Sequence, residues 1–293
     1  MTVDYEQEFE LYSYGESLCS QMVRVALEEK KVLYKHHHIH LEHNAENLTK
    51  AFLAVNPKAL VPVLVHNGEV HTDSWKIIRY LDKLFPDKGA NLWPHDDEKS
   101  SRLEDMILDN NLDETNEVGS NFGGSVAGAS TYILADILKT RSFWAVAWDY
   151  LKKHPDKIRA SIFVLIRLLG KPPKAIYEKF IKRLAPGLVG IEQELAHGGD
   201  YILGDYSAVD VMMTAHYHRL EDVMLGSLLQ SDDFPNIKSY WQRLQSRPSY
   251  KTAIKDLEII DWRGAIERVY GDNPNPFLPL LKEEIRNLGY EVR

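Results

Sequence analysis

Three short stretches of this chain carry groups arranged for chemistry. The first, Ser13-Tyr14-Gly15-Glu16-Ser17-Leu18-Cys19, is a loop running into an apolar helical period, with hydroxyls and the only cysteine near the helix start. A thiol there is expected to be acidified by the helix N-terminus, or else to pack as a small hydrophobe. Ser17 is placed to cap the helix or to turn its hydroxyl toward a ligand. The second stretch is the apolar run Val61 to Val65, interrupted by Pro62. A proline has no N–H, so Pro62 belongs at the first residue of an edge-like strand, beside exposed backbone at Val61. Asn67-Gly68 then predicts a type I′ turn, with Glu69-Val70-His71 returning as the partner strand. The third stretch, Asp73-Ser74, is expected to cap a helix from Trp75 to about Leu84, whose orphan N–H groups favour a carboxylate. An open strand edge beside a helix N-terminus suits a small peptide with a free carboxylate. The same residues also read as a plain hairpin packed on a helix, with an ordinary trans proline.

The elements that must position these groups follow from periodicity. Phe9 to Tyr12 reads as a strand, and about Cys19 to Lys30 as a helix with Met22, Val23, Val25, Ala26 and Leu27 on its apolar side. Val32 to Leu41 reads as a second strand and Leu48 to Val55 as a second helix. The resulting order, β-α-β-α-β-β-α, is the thioredoxin-like arrangement. Pro86-Asp87-Lys88-Gly89, with Asn91 to His95, predicts a linker. Beyond it the periods are helical: about 97–117, 132–151, 157–169, 173–197, 208–225 and 237–246, with a Gly-rich patch from Val118 to Ala129. The expected fold class is therefore an α/β thioredoxin-like amino-terminal domain, residues 1–88, followed by an all-α helical carboxy-terminal domain, residues 89–293. Ser207 and Asp210 form a capping-box pair whose meaning is structural.

The proline strand, hairpin and capped helix resemble the glutathione-binding half of the glutathione transferase superfamily. Residues 13–24 further resemble the Ser-x-Cys-Ser signature of zeta-class transferases and tetrachlorohydroquinone dehalogenases. Leu18, where zeta enzymes usually carry serine, leans toward the dehalogenase form. The resemblance spans roughly residues 8–88 and, more loosely, 188–256. It implies that glutathione is the cosubstrate, that Pro62 is cis, and that Val61 pairs with the cysteinyl backbone of glutathione. It further implies that Asp73 and Ser74 hold the γ-glutamyl end. Lys58, just before the proline strand, is placed either to meet the glycine carboxylate of glutathione or to stand as solvated surface. Ser17 would stabilise the glutathione thiolate, Tyr14 being the rival hydroxyl. In dehalogenases of this type the residue matching Cys19 forms a mixed disulfide. The implied reaction is thiolate attack on a hydrophobic, aromatic electrophile, by ether cleavage or dehalogenation, in a homodimer. Alternatives are a maleylacetoacetate-type isomerase and a non-catalytic binding or regulatory member. Relative to a typical transferase, 119–186 is enlarged and the tail from 258 is long. Both are expected either to line the second pocket or to pad the surface.

Composition bounds the rest. At 293 residues with 44% hydrophobic and 27% charged residues, the chain reads as a globular protein of about two domains. A formal charge of −8 argues against nucleic acid or an anionic membrane as partner. One cysteine forbids an intrachain disulfide and fits a reducing, cytoplasmic setting, and the acidic start shows no secretory signal. The histidines at 36, 37, 38, 40 and 43 invite a metal reading. Strand alternation divides them between two faces and no carboxylate or cysteine completes a set, so no metal site is expected. Phe122, Tyr132, Trp144, Trp148 and Tyr150 are read mainly as core, part of them being available for an apolar acceptor pocket.

Overall fold

The computed structural model describes residues 2–112 and 119–292. Strand β1 (Phe9–Ser13) lies inside a four-stranded sheet of order β2-β1-β3-β4, with β2 at Lys35–His38, β3 at Val63–His66 and β4 at Glu69–His71. β1 pairs in parallel with β2 and antiparallel with β3, so it is the strand on which the sheet is assembled. Asn67 and Gly68 take φ of 48° and 84°, the positive pair that a type I′ hairpin demands. Helices α1 (Leu18–Glu29), α2 (Lys50–Val55) and α3 (Ser74–Leu84) complete the expected order. The second strand is shorter than expected. β2 is an edge strand, and it pairs with only four residues of β1.

After β4 every named element is helical. The series runs α4 (Asp97–Asn110), α5 (Phe122–Ala129), α6 (Thr131–Lys139), α7 (Phe143–Ala147), a π-helical turn (Trp148–Lys153), α8 (Lys157–Leu169) and α9 (Lys174–Ala196). It continues with α10 (Ala208–Asp222), α11 (Gly226–Leu229), α12 (Pro235–Ser246), α13 (Pro248–Ala253), α14 (Ile260–Tyr270) and α15 (Leu278–Asn287). The helix expected over 97–117 ends at Asn110, and residues 113–118 lie outside the described residues. Most of the Gly-rich patch is helix α5, because Asn121 caps it by accepting from Gly124 N–H at 2.8 Å. Its glycines permit close approach. A Cβ on Gly123 would fall 2.1 Å from the Asn110 carbonyl oxygen, and one on Gly128 would meet the Phe180 ring at 2.5 Å. The helix expected over 132–151 is broken, since Ser142 starts a new one by accepting from Ala145 N–H at 3.2 Å.

The long tail is part of the core. Trp262, Ala265, Leu281 and Ile285 are buried in the same apolar cluster as Leu11, Met22 and Trp241. The capping pair sits at the centre of the helical region: buried Asp210 accepts from Ser207 N–H (2.8 Å), Ser207 Oγ–H (2.9 Å) and Tyr240 O–H (2.7 Å). Removing a carboxylate so surrounded strands several buried donors. Asp210→Ala is expected to lower unfolding free energy by about 3–5 kcal/mol, checked by urea denaturation. A loss within experimental error of zero would contradict this structural role.

Candidate active site

The loop between β1 and α1 is held from behind by two buried guanidinium groups. Arg24 is fully buried and donates to Tyr14 O (3.0 Å), Gly15 O (2.7 Å), Ser13 Oγ (3.2 Å) and Ala253 O (2.7 Å). Burial pulls its pKa down to about 10, which leaves it charged at neutral pH. Arg219 of α10 donates to the Glu16 carbonyl and to Ser130 Oγ, with its guanidinium 4.3 Å from the centre of the Trp262 ring. The last residue of β1 and the three loop residues after it are thus tied to α1 and α10, and Arg24 joins them to the residue that ends α13. Fixing the loop this way aims Ser17 and Cys19, both half-buried, out of the core.

Ser17 caps α1 by accepting from Ser20 N–H at 3.3 Å. That bond uses a lone pair, so the hydroxyl proton remains free to be donated. Cys19 lies in the first turn of α1, beside the Ser74 hydroxyl that opens α3. Two remote segments therefore meet at this sulfur. The expectation of an acidified thiol is corrected here. Burial pushes the Cys19 thiol up, and the Ser74 hydroxyl and the charge of Arg159 offset this only in part. Tyr14 is buried, with its hydroxyl toward the carboxyl of Glu42; burial, then Glu42 and Glu16, raise the phenol far above its usual value.

The second stretch lies at the same end of the sheet. The Val61–Pro62 peptide is cis. Asn47 and Asn56 hold the carbonyls of Ala59 (2.9 Å) and Leu60 (2.7 Å), which sets the chain just before the proline. Val61 precedes β3, and its own N–H and C=O are engaged by no neighbour among the described residues. Lys58 is exposed on the turn that leads there.

Ser74 is buried at the first turn of α3, preceded by Asp73. The expected side-chain cap by Asp73 is not formed. Its carboxylate pairs instead with Lys76 at 2.9 Å, and its backbone adopts φ 67°, ψ 113°. That conformation costs an L-residue on the order of 1–3 kcal/mol, the kind of strain that collects at binding sites.

The histidine-rich strand is structural in its contacts. His36 Nε2 meets Ser13 Oγ at 2.7 Å, His37 pairs with Glu10 at 2.6 Å and stacks on Tyr12, and His43 lies 3.2 Å from Asp261. Of the aromatic set, Phe122 and Tyr150 are core, Tyr132 packs against Tyr177, and Trp144 and Trp148 stand in the open.

Behind the loop lies a feature that reading the chain did not reveal. Glu16, His218 and Asp222 face one another with ligating atoms within 4.8 Å, in a cavity also lined by Glu221, Lys255 and Trp262. Glu16 Oε1 accepts from Ile259 N–H at 2.8 Å, tying the loop to the tail. Burial, then the neighbouring Asp222, push its carboxyl up to about 7, against the opposing effects of Arg219 and the Ile259 N–H. His218 is driven down to about 4 by burial and so is neutral near pH 7. The only trace in the sequence was the placement of His218 and Asp222 four residues apart on one helix.

Residues 16–84 match the family model described as glutathione S-transferase, N-terminal domain. The tetrachloro-p-hydroquinone reductive dehalogenase of Sphingobium chlorophenolicum is 27% identical over 267 residues, covering 88% of this chain and 99% of that protein. A probable maleylacetoacetate isomerase of Vibrio cholerae is 24% identical over 83% of this chain and 94% of its own length. Among solved structures, the β-etherase LigF of Sphingobium sp. strain SYK-6 superposes with a TM-score of 0.75 at 21% identity, covering 85% of this chain and all of that one.

Two outcomes follow from the buried charges. Arg24→Lys cannot reproduce the fork of donors, and each abandoned carbonyl costs about 1–3 kcal/mol. The variant should be less stable to urea by about 2 kcal/mol or more; unchanged stability would contradict the clamp. Glu16 prefers its protonated form in the folded state, so its contribution is complete below the unfolded value of 4.5 and is lost as pH rises through about 7. Glu16→Gln is uncharged at every pH, so its stability relative to the parent should rise between pH 4.5 and 8. Denaturation curves at both pH values check this, and a difference that does not change with pH would contradict it.

Proposed function

Since the chain belongs to the glutathione S-transferase superfamily, with glutathione as its cosubstrate, we propose that it conjugates glutathione to a hydrophobic, aromatic electrophile. In this reading residues 1–88 bind glutathione and residues 89–293 supply the acceptor side. The unengaged backbone of Val61 pairs with the cysteinyl unit as an added strand. The Ser74 end of α3, with Asp73, receives the γ-glutamyl carboxylate and amine, and Lys58 is near enough along the chain to meet the glycine carboxylate. The glutathione sulfur then lies against the Ser17 hydroxyl. A donated O–H and the positive end of α1 both favour thiolate over thiol. The thiolate attacks an electrophilic carbon, a carbon–sulfur bond forms, and the leaving group departs with its electron pair as aryloxide or halide. Carrying this assignment is one observation: the Ser17 hydroxyl accepts the capping bond and keeps its proton free to give.

Aromatic acceptors are favoured by the naming of relatives on both sides, a hydroquinone dehalogenase and a β-etherase. The enlarged helical segment contributes positive charge, because the Arg159 side chain acts on Cys19. Between conjugation and reductive dehalogenation, the state of Cys19 favours conjugation: an up-shifted thiol is a poor attacking group for disulfide exchange. Tyr14, buried and turned to Glu42, is the weaker candidate for the sulfur. We assign the active unit as a homodimer, the habit of this superfamily.

The test is a pair of variants assayed with aryl ethers and aryl halides. Ser17→Ala should cut turnover by about 10²-fold, the range of one lost electrostatic donor, while calorimetric glutathione affinity changes far less. Cys19→Ser should keep conjugate formation. Failure of the parent to bind glutathione would sink the proposal. A protein–glutathione disulfide after turnover, with Cys19→Ser stalled at the conjugate, would move the assignment to reductive dehalogenation.

A further inference from the structure

Residues 141–176 differ from the rest of the chain in charge. They hold eight lysines and arginines against two aspartates, within a chain of formal charge −8. They also carry nine of the fifteen exposed large apolar side chains among the described residues. Trp144 is 79% exposed, Trp148 60% and Ile158 78%. Positive charge and bare apolar surface thus coincide in one segment.

The helix geometry organises this surface. Ile158, Ile162, Leu165 and Leu169 are spaced four, three and four residues apart, which lines them along one face of α8. Ile158, Ile162 and Leu165 border a single open groove with Lys157 and Ser161. The other side of α8 is already used: Ala160 and Ile166 are buried in a small cluster with Ala135, Leu138, Val146 and Tyr150, separate from the main core. Arg141 fastens the segment in place through the Glu42 carbonyl (3.3 Å) and through Asp149, while Arg167 donates to the Arg141 carbonyl at 2.8 Å. α8 is therefore a helix with two apolar faces, of which folding consumes one.

Charge decides what covers the other face. A second copy laying its own stripe there would bring two segments of net charge +6 together, and like charges so placed repel. An anionic lipid surface satisfies both features. Isoleucine, leucine and tryptophan enter the boundary between headgroups and acyl chains, and lysine and arginine stay among the phosphates. The acidic remainder of the molecule is repelled by the same surface, which orients this segment toward it. We propose that residues 141–176 form a docking surface for anionic membrane lipid, with α8 lying in the plane of the interface. The contact is peripheral, since no helix among the described residues is long and apolar enough to cross a membrane.

Co-sedimentation of the full chain with vesicles tests this, using phosphatidylcholine alone and phosphatidylcholine mixed with phosphatidylserine. Binding is expected only to the mixed vesicles, and it should collapse at high salt. The double variant Ile162→Glu/Leu165→Glu alters exposed positions, so circular dichroism should be unchanged while the apparent affinity falls roughly tenfold or more. Lys152→Glu/Lys171→Glu leaves the stripe intact and should lose the salt-sensitive part of binding. Equal binding to both vesicle types, or none, would overturn the proposal. So would a double variant that binds like the parent, one that instead dissociates an oligomer in light scattering, or one that only raises KM for an aryl electrophile.

Discussion

A guanidinium buried without a directly paired carboxylate is the constraint around which this molecule is arranged. Arg24 is fully enclosed and is satisfied by carbonyls of Tyr14, Gly15 and Ala253 and by the Ser13 hydroxyl. Stripping water from such a charge costs several kcal/mol, so the structure must hold all four acceptors in place to offset it. Those acceptors belong to the loop before Ser17 and to the end of α13. The charge therefore locks the candidate site and the helical half to one another. Arg219 adds a second tie, to the Glu16 carbonyl, from the opposite helix.

The remaining features of the site inherit their positions from that lock. With the loop fixed, α1 starts at Ser17 and Cys19 comes to rest beside Ser74, more than fifty residues further along the chain. The parallel and antiparallel neighbours of β1 bring the His38 end of β2 and the Val63 end of β3 to the same end of the sheet, and the open backbone of Val61 lies next to it. Glu16 extends the lock to the tail through Ile259 N–H, so the carboxy-terminal helices bear on the loop as well. The Lys30–Asp82 pair (2.7 Å) and the Arg247–Glu29 pair (2.6 Å) keep α1 fixed at its far end. A rigid scaffold of this kind is what the proposed placement of one hydroxyl against one sulfur requires.

Local rules made much of this legible. Asn67-Gly68 and the Ser17 and Ser207 helix starts are dictated by bonds within four residues, and they sit in the structure where those rules place them. Pro62, expected to open an edge-like strand, lies instead one residue before β3, which is interior to the sheet between β1 and β4. What escaped depends on distant partners. The role of Arg24 is not legible in the sequence, because its acceptors include a carbonyl 229 residues away. The glycines at 123 and 128 stand in a Gly-rich patch between helical periods, yet they are helical, and their lack of a side chain lets α5 sit against the end of α4 and Phe180. Cys19 obeyed the expected position but not the expected acidity, as burial outweighs the Ser74 hydroxyl and the charge of Arg159. The whole-chain charge of −8 concealed a basic segment, since an average carries no information about segregation.

The central claim is that the clamped loop holds a serine hydroxyl against the glutathione sulfur and so stabilises its charged form. An ultraviolet titration of protein-bound glutathione measures that directly, by following thiolate absorbance against pH in the parent and in Ser17→Ala. The account predicts that the bound thiol of the parent titrates at least about one pH unit below the ordinary thiol value of roughly 8.5, and that Ser17→Ala returns it toward that value. A bound thiol that titrates like free glutathione in the parent, or one unmoved by Ser17→Ala, would contradict the account.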